Sequence, residues 1–437
     1  MPIRIAIIGS GPSGFYTADA LLKSEADVDI DIIDRLPTPF GLIRAGVAPD
    51  HQSTKRVSRS YERTAMDDRV HYIGNVEIGR DVSIQELRDM YDAVVVAIGM
   101  PGDPPLGVPG DNKIGVIGAT KFVGWYNGHP DFADFKPDLN TRAIAVIGNG
   151  NVAIDVARVL VKTAAEMAET DLPSAIGAYI QNAPITDVYM FGRRGPVEAK
   201  FTNVELREMG QLENAASIVD PDCLPEEVTG EWSDRDRRLR ERNLQTLREF
   251  PEIDAGSKAK RVHFAFYAQP VEILGDDKVT GIRMEKTSVV DGRAQGTGEF
   301  FEIECSLVIP AIGYALQPFE GLPVDEKTGC TANDNGRIAE GFYAVGWARR
   351  GPTGVIGTNK PDGKIAAEQI LEDISEGTKP GHDALIALLD EKDIRWTDFD
   401  DWQAINEAEI ANARPKAPRE KFLTIKDMLT VVDKAWN

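Results

Sequence analysis

Cysteine is scarce in this chain, and its placement excludes two kinds of site. Cys223, Cys305 and Cys330 are the only cysteines among 437 residues, and no two of them have CxxC or metal-ligand spacing. A redox dithiol and a structural zinc site are therefore not expected, and no residue is assigned to a metal.

Long apolar runs and an excess of positive charge are also lacking. No apolar run approaches the roughly 20 residues that span a bilayer, so membrane insertion is not expected. The sequence has 49 basic and 70 acidic residues, which gives a formal charge of −21. Because most of such a surface repels a phosphate backbone, nucleic acid is not expected as a general partner, although local basic patches can still matter.

The N-terminus enters the apolar run "PIRIAIIGSG" with no charged leader before it. The default expectation is therefore a cytoplasmic protein, with other soluble compartments left open. With 42% apolar residues, a chain of this length can bury a large core and should divide into about two or three domains.

One segment near the N-terminus is repeated in the middle of the chain. Residues 5–23, "IAIIGSGPSGFYTADALLK", align without a gap with residues 144–162, "IAVIGNGNVAIDVARVLVK", and eight of the nineteen positions are identical. Each copy has a β-branched run, a glycine-rich turn and a helical stretch rich in Ala, Leu and Val. This order of strand, turn and helix is that of a dinucleotide-binding fingerprint.

The first copy predicts a site for FAD or NAD. Gly9 allows the tight bend, Gly11 lets the backbone approach a pyrophosphate, and Gly14 lets the helix pack closely on the strand. A second run, "VDIDIIDR", ends at Asp34, 25 residues after Gly9, where a carboxylate can accept the hydroxyls of an unphosphorylated ribose. The alternative is an ordinary strand-to-helix loop, which this acid in this position disfavours.

The second copy predicts a site for NADP(H). Its pattern is Gly148, Gly150, Ala153, and the next recognisable strand, "ITDVYMFG", ends at Arg193 and Arg194 instead of at an acid. An arginine at this edge can hold the 2′-phosphate of NADP(H), which a carboxylate would repel. The alternative, a solvated basic turn, is disfavoured because the arginines follow a second fingerprint.

Three further segments fit a flavin site. "YDAVVVAIGM" (91–100) and "CSLVIPAIGY" (305–314) read as buried strands with the same Ala-Ile-Gly ending, as expected where a chain leaves one domain and returns. "GFYAVGWARRGPTGVIGTNKPDG" (341–363) is a strand with a glycine-rich exit, suited to bring N–H groups near a flat ring. A flavin accepts a hydride from NADPH and can release electrons singly, so a one-electron metal acceptor is natural.

At this point the motifs resemble a known family. "FGLIRAGVAPDH" (40–51), "GNGNVAIDVAR" (148–158), "GRRGP" with "FTNVELRE" (201–208), and "VGWARRGPTGVIGTNK" (345–360) together look like the adrenodoxin-reductase type of ferredoxin–NADP reductase. The resemblance implies an α/β fold of two Rossmann-like nucleotide-binding domains, with the NADP domain inserted into a discontinuous FAD domain. The expected limits are 1–105 and 320–437 for the FAD domain and 106–319 for the NADP domain. The tail with Pro415 and Pro418 is expected to wrap the surface.

The resemblance also implies roles for individual residues. The implied FAD contacts are Gly9, Gly11, Gly14, Asp34, Trp347, Gly354, Val355 and Ile356. The implied NADP(H) contacts are Gly148, Gly150, Asn151, Val152, Arg193, Arg194 and Glu205. His51 and Glu208 match residues near the hydride-transfer site, where they are expected to orient the nicotinamide or tune flavin protonation. From the residues alone, His51 could equally cap a helix or pack in the core, and "ELRE" could be a solvated helix face.

A ferredoxin-type iron-sulfur protein is the expected partner, and its acidity conflicts with the acidity of this chain. "DRDRRLRER" (234–242) gathers five arginines in one short stretch that reads as helical, and Arg238 and Arg242 are i,i+4 neighbours in it. Arg207 matches a partner-binding position of the family. We expect Arg207, Arg238 and Arg242 to form the ferredoxin face, the alternative being a solvated helix with internal ion pairs.

Other functions share parts of this pattern. A disulfide reductase is opposed by the missing CxxC, and the small subunit of glutamate synthase by the missing cysteine-rich N-terminal segment. An NADPH-dependent flavin monooxygenase and a flavoprotein that senses NADPH and regulates a partner are left open.

Overall fold

A computed structural model describes residues 1–252 and 255–435 of the chain. Its strands are β1 (Ile3–Ile8), β2 (Val28–Ile33), β3 (Val70–Ile73), β4 (Ala93–Val96), β5 (Ala143–Ile147), β6 (Asp187–Phe191), β7 (Ala215–Val219), β8 (Lys260–Ala265), β9 (Ala268–Leu274), β10 (Gly281–Val290), β11 (Arg293–Glu304), β12 (Leu307–Pro310), β13 (Val324–Asp325), β14 (Cys330–Thr331), β15 (Arg337–Ala339) and β16 (Phe342–Ala344).

The α-helices are α1 (Pro12–Leu22), α2 (Leu42–Ala45), α3 (Gln52–Lys55), α4 (Ser58–Ala65), α5 (Ile84–Met90), α6 (Ala119–Tyr126), α7 (Asn151–Val161), α8 (Ser174–Gln181), α9 (Asn203–Met209), α10 (Asp234–Glu249), α11 (Gly346–Arg350), α12 (Asn359–Asp373), α13 (His382–Glu391), α14 (Phe399–Ala411) and α15 (Ile425–Ala435). Short 3-10 helices span Pro130–Phe132, Pro196–Glu198, Pro221–Cys223, Phe250–Glu252, Ala255–Ser257 and Ile356–Thr358. Within the described ranges, no helix has both the length and the apolar character that crossing a bilayer requires.

The chain forms two compact units, and one interrupts the other in sequence. Unit 1 consists of Met1–Gly102, Asn127–Ala133 and the residues from Tyr314 onward, while unit 2 consists of Asp103–Tyr126 and Asp134–Gly313. The predicted α/β fold of two Rossmann-like domains, with one inserted into a discontinuous other, is confirmed.

Unit 1 is built on a sheet in the order β15-β16-β4-β1-β2-β3. Strands β16, β4, β1, β2 and β3 are parallel, and β15 pairs antiparallel at one edge. The four residues of β4, "AVVV", are all buried. A strand covered on both faces needs such a continuous apolar run, which is why these segments form the middle of a parallel sheet.

Unit 2 repeats this plan with a parallel sheet in the order β12-β5-β6-β8-β7, joined by an antiparallel sheet β11-β10-β9. In both units the strand before the glycine turn, β1 or β5, lies where the order of connection reverses. Parallel sheets bind ligands at that reversal, at the carboxyl ends of the strands. The repeated turns are thus at the position where a nucleotide is expected.

The C-terminal tail does not wrap the surface, so that expectation was wrong. Trp402 and Ile405 of α14 and Met428 and Val432 of α15 are buried in the main core of unit 1. Their spacings of three and four residues place each pair on one helix face, which is the amphipathic pattern of a core helix. The prolines interrupt the tail only between the two helices.

Candidate functional site

The first glycine turn joins β1 to α1, and two of its glycines are required by backbone packing. A Cβ atom added at Gly9, where φ is +109°, would lie 2.6 Å from the carbonyl oxygen of Ala97. One added at Gly14 would lie 2.1 Å from the carbonyl oxygen of Gly9. These distances are well below van der Waals contact, so the helix and both strands approach this closely only because the side chains are missing.

Gly11, between them, is not required by packing. It is the N-cap of α1, with an extended backbone of φ −77° and ψ −175°, and an added Cβ would meet nothing within 4 Å. The space it keeps open lies at the positive end of the helix, where backbone N–H groups attract phosphate. The turn therefore fits the pyrophosphate of a dinucleotide such as FAD.

Asp34 follows β2 and faces this turn. One of its carboxylate oxygens accepts hydrogen bonds from the backbone N–H of Ser10, at 2.9 Å, and from the Ser10 hydroxyl, while the other accepts from the N–H of Leu36 at 3.0 Å. Each carboxylate oxygen has about two acceptor positions. Asp34 thus fixes the turn and has remaining capacity to accept a ribose hydroxyl.

The far end of the chain lies against the same helix. A Cβ at Gly346 would meet the Ser13 hydroxyl oxygen at 2.0 Å, and one at Gly363 would meet the backbone carbon of Tyr16 at 2.6 Å. Helix α12 therefore packs on α1 almost backbone to backbone, and the first residue of α11 lies against the Ser13 side chain. Residues more than 300 positions apart are brought to the first glycine turn, as a flavin site built from both chain ends requires.

The segment between α11 and α12 contains the other predicted FAD contacts. The indole N–H of Trp347 donates to the carbonyl oxygen of Thr353 at 3.1 Å. Val355 is 61% exposed, Gly354 is exposed beside it, and Ile356 packs against the core of unit 1. The segment thus offers an apolar edge that is anchored at Ile356.

Arg350, which the sequence prediction did not assign, holds this segment. Its Nε donates to a carboxylate oxygen of Asp362 at 2.7 Å, and an Nη donates to the side chains of Thr358 and Asn359 at 3.2 Å each. The neighbouring Arg349 also approaches Asp362, at 3.6 Å. Both arginines lie within the quoted "VGWARRGPTGVIGTNK", but the sequence does not show that they share this acid.

The second glycine turn, in unit 2, reproduces the first. A Cβ at Gly148 would lie 2.3 Å from the carbonyl oxygen of Ala311. Gly150 is the N-cap of α7, with φ −121° and ψ 179°, and a Cβ there would meet nothing within 4 Å. The Ala-Ile-Gly endings at Ala97 and Ala311 thus have equivalent places, each beside the first glycine of its own turn. This turn fits a second pyrophosphate.

Asn151 and Val152 begin α7. The side-chain oxygen of Asn151 accepts a hydrogen bond from the backbone N–H of Thr202 at 2.8 Å, and Thr202 is in turn the N-cap of α9. Val152 is half-buried. Asn151 therefore connects the glycine turn to α9, which carries Glu205 and Glu208.

Arg193 and Arg194 follow β6 in a turn whose backbone is held by neighbouring segments. The carbonyl oxygen of Arg193 accepts from the Thr287 hydroxyl at 2.8 Å, and that of Arg194 accepts from the N–H of Tyr267 at 3.2 Å. The Arg194 guanidinium donates to the carbonyl oxygen of Gly292 at 3.3 Å. Among the described residues, the exposed Arg193 guanidinium has no hydrogen-bond or ion-pair partner, so it is available to an anion.

A cluster of charges around Arg158 was not predicted. Arg158 is fully buried, and its guanidinium nitrogens contact the carboxylates of Asp155, Glu205 and Glu208 at 2.7, 3.2 and 3.5 Å. The cluster lies between α7 and α9. The available signal was an arginine on the apolar face of α7, four residues after the fully buried Ile154.

His51 lies in unit 1 and is the N-cap of α3. Its side chain makes no capping hydrogen bond to that helix, which removes one of the alternative interpretations, and it is half-buried. Its expected role, like that of Glu208, stays a prediction.

The arginines of α10 are of two kinds. Arg237 donates to the carbonyl oxygens of Val228 and Gly230, and Arg240 stacks on the Trp232 ring at 3.6 Å. Burial lowers the pKa of Arg240 and the positive charge of Arg194 adds to this effect, while the nearby acids oppose it. The remaining arginines of the stretch, Arg235, Arg238 and Arg242, are exposed.

Arg207 lies on α9, which packs beside α10 through a hydrogen bond of 3.1 Å from the Asn203 side chain to the Thr246 hydroxyl. It is exposed, and Val204, one turn earlier on the same face, is 68% exposed. Arg207 and the exposed arginines of α10 thus belong to neighbouring helices of unit 2, with an apolar residue on the same side of α9 as Arg207.

Comparison with known proteins agrees with this geometry. Residues 3–182 match the profile of the pyridine nucleotide-disulphide oxidoreductase family. The mitochondrial NADPH:adrenodoxin oxidoreductase of Arabidopsis thaliana is 41% identical over 98% of this chain and 95% of its own length. NADPH-ferredoxin reductase FprA of Mycobacterium leprae is 38% identical over 98% of both chains. The solved structure of Mycobacterium tuberculosis FprA in complex with NADPH matches with a TM-score of 0.94 at 37% identity, over 99% of this chain and 100% of that chain. The chain therefore belongs to the adrenodoxin-reductase family of NADPH–ferredoxin reductases.

Proposed function

We propose that this chain is an FAD-dependent ferredoxin–NADP+ reductase, which transfers electrons between NADPH and a ferredoxin-type iron-sulfur protein. The observation that carries the proposal is a pair of equivalent glycine turns whose neighbouring strands end differently. Asp34 follows β2, whereas Arg193 and Arg194 follow β6. A carboxylate accepts the hydroxyls of a plain ribose and repels a 2′-phosphate, which arginines attract. One site therefore suits FAD and the other suits NADP(H).

Unit 1 supplies the residues that would hold FAD. The space beside Gly11 would take the pyrophosphate, Asp34 would accept a ribose hydroxyl, and Trp347 with residues 354–356 would hold the flavin ring. When bound, FAD supplies an acceptor for the two electrons of NADPH and a donor of single electrons.

Unit 2 supplies the residues that would hold NADP(H). The space beside Gly150 takes the pyrophosphate, and Arg193 with Arg194 binds the 2′-phosphate. Glu205 and Glu208, on the face of α9 that contacts Arg158, lie toward the nicotinamide end. Glu208 and His51 orient the nicotinamide amide or tune the protonation of the flavin, and neither is an obligatory acid or base, because hydride transfer itself needs none.

The ferredoxin would dock on Arg207, Arg238 and Arg242. This positive face resolves the conflict between an acidic partner and a chain of charge −21, because steering depends on the local field at the docking surface. The acidity of the rest of the surface disfavours docking in wrong orientations.

The direct test mixes the purified protein, NADPH and candidate ferredoxins without oxygen and follows ferredoxin reduction. We expect a yellow protein that releases FAD, not FMN, on denaturation, and that reduces ferredoxin faster with NADPH than with NADH. Colourless protein that cannot be reconstituted with FAD would contradict the proposal. A rapid hydroperoxyflavin signal in oxygen would favour a monooxygenase, and a flavin reduced by NADPH without turnover of any acceptor would favour a sensor.

The compartment is proposed to be the cytoplasm. The Arabidopsis relative is named as mitochondrial, so the alternative is an organelle of that kind. Fractionation of the source cells with a tagged full-length chain distinguishes the two, and recovery of the tag in the organelle fraction contradicts the cytoplasmic assignment.

A further inference from the structure

We propose that Arg158 is a positioning residue for hydride transfer, which acts by holding Glu205 and Glu208 in place. The inference rests on the proposed function, which puts the nicotinamide end of NADPH toward these acids. Arg158 is fully buried, and we assign it no direct contact with the nucleotide. Its effect passes through the two carboxylates of α9.

Each nitrogen of the Arg158 guanidinium contacts a different acid. Nη2 contacts Asp155 at 2.7 Å, Nη1 contacts Glu205 at 3.2 Å, and Nε contacts Glu208 at 3.5 Å. A guanidinium is planar and its donors are fixed in direction, so three acids held by three separate nitrogens have defined relative positions. The single ammonium group of a lysine has no such planar fork and cannot hold three carboxylates in one fixed arrangement.

Three carboxylates contact the one guanidinium of Arg158, whose side chain is 0% exposed. The exposed fraction of these acids increases from 15% for Asp155 and 16% for Glu205 to 35% for Glu208. Glu208 is therefore the acid of this cluster that is most accessible to a ligand.

A carboxylate held in a fixed direction at that position has a chemical use. The nicotinamide ring of NADPH gains one positive charge when its hydride leaves for the acceptor. Fixed carboxylates that are already oriented toward this charge favour the transfer without having to reorganise. If the carboxylates were free to turn into water, their field at the ring would be weaker and more variable.

The cluster also fixes α9 relative to the second glycine turn. Asn151, the first residue of α7, bonds to the backbone of Thr202 at the start of α9, and Arg158, two turns later on α7, holds Glu205 and Glu208. Two separate attachments between the same helices prevent α9 from rotating about either one. The two acids are therefore held in a fixed position relative to the second glycine turn, where the pyrophosphate is proposed to bind.

The experiment compares Arg158→Lys and Arg158→Met with Arg283→Met. Arg283 is a matched control, because it is an arginine of the same unit, flanked by Glu272 and Glu302 at 3.8 Å each, but it is exposed and outside the site. Three quantities are measured for each variant that retains FAD. They are the limiting rate of flavin reduction by NADPH in stopped flow, the Kd of NADP+, and the Kd of adenosine 2′,5′-bisphosphate, which has the 2′-phosphate but no nicotinamide.

We expect Arg158→Lys to lower the limiting rate by roughly ten- to a hundredfold, the cost of a small misplacement of groups around reacting atoms. It should weaken the binding of NADP+ and leave the binding of adenosine 2′,5′-bisphosphate unchanged. Arg158→Met should lose more rate than the lysine variant, and Arg283→Met should match the wild type. Should Arg158→Met fail to fold, the lysine variant, which keeps the charge, still decides the question.

Two results would overturn the inference. One is a wild-type limiting rate in Arg158→Lys. The other is an equal loss of affinity for NADP+ and for adenosine 2′,5′-bisphosphate, which would mean that Arg158 only supports the fold of the whole unit. Failure of the proposed function is separate, because in that case the wild-type flavin itself would not be reduced by NADPH.

Discussion

Gly148 and Gly150, two residues apart in the second glycine turn, allow the packing role of that turn to be separated from its binding role. Replacing either glycine by alanine adds one methyl group. At Gly148 the methyl would lie 2.3 Å from the carbonyl oxygen of Ala311, and at Gly150 it would meet nothing within 4 Å of the chain. The first substitution therefore strains the packing of unit 2, and the second changes only the space left for a ligand.

The magnitudes follow from these distances. At Gly148 the backbone at Ala311, directly after β12, must move by about 1 Å to reach ordinary contact, and overpacking of this kind costs about 1–3 kcal/mol. At Gly150 the backbone of φ −121° and ψ 179° suits alanine, and a compatible Gly→Ala change stabilises by about 0.4–1 kcal/mol. Obstructing a hydrogen bond to a phosphate costs about 1.5–3 kcal/mol, or roughly ten- to a hundredfold in Kd.

The assay measures the Kd of NADP+ from its effect on the flavin spectrum and the Tm from circular dichroism. We expect Gly150→Ala to bind NADP+ more weakly at an unchanged or higher Tm, and Gly148→Ala to lose Tm. FAD content should be normal in both, because both glycines belong to unit 2. Wild-type NADP+ binding by Gly150→Ala would refute the assignment of the phosphate to this turn.

Three further predictions concern charges. Replacing Arg193 and Arg194 by alanine should raise the KM for NADPH by roughly ten- to a hundredfold and change that for NADH less; equal use of both coenzymes by the native protein would contradict the 2′-phosphate assignment. Charge reversal at Arg238 and Arg242 should slow ferredoxin reduction most at low ionic strength and leave ferricyanide reduction near normal, whereas unchanged kinetics across a salt series would place docking elsewhere. The hydrogen bond with Asp29 raises the pKa of His71 in the folded protein. Its stabilisation is therefore complete below the unfolded pKa of about 6.5 and is lost as pH rises through the raised folded pKa. His71→Asn should lower Tm more at about pH 6 than at about pH 9, and an equal loss at both would show that the charge of His71 is immaterial.

The glycine turns could be predicted because their requirements are local. Strand, turn and helix follow one another in the chain, and Gly14 is required by a contact with Gly9 within that short segment. The Ala-Ile-Gly endings were visible in the sequence, but their place beside the first glycines was not. That contact joins segments 88 and 163 residues apart, and only the sheet order brings them together.

Long-range charge pairing could not be predicted from the sequence. Arg158 meets its partners on α9 47 and 50 residues later in the chain, because the crossing of two helices brings them together. In the stretch 234–242 of α10, the sequence shows five arginines of equal character. Only the structure separates Arg237 and Arg240, which support the neighbouring loop, from the exposed ones. The prediction that the C-terminal tail wraps the surface was wrong because it depended on the prolines. The helical spacing of the tail's apolar residues indicates core helices instead.

Helix α9 has only seven residues, about 10 Å of length at 1.5 Å per residue, and its two sides have different tasks. Val204 and Arg207 face outward, while Glu205 and Glu208 face Arg158. A helix this short moves as one piece, so on the proposed assignments ferredoxin bound to one side and nicotinamide beside the other would contact the same rigid element. Linkage is reciprocal: whatever factor the bound ferredoxin applies to NADP+ affinity, NADP+ must apply to ferredoxin affinity. Release of the oxidised coenzyme and departure of the reduced partner would then be linked in one thermodynamic cycle, with this helix as the element common to both.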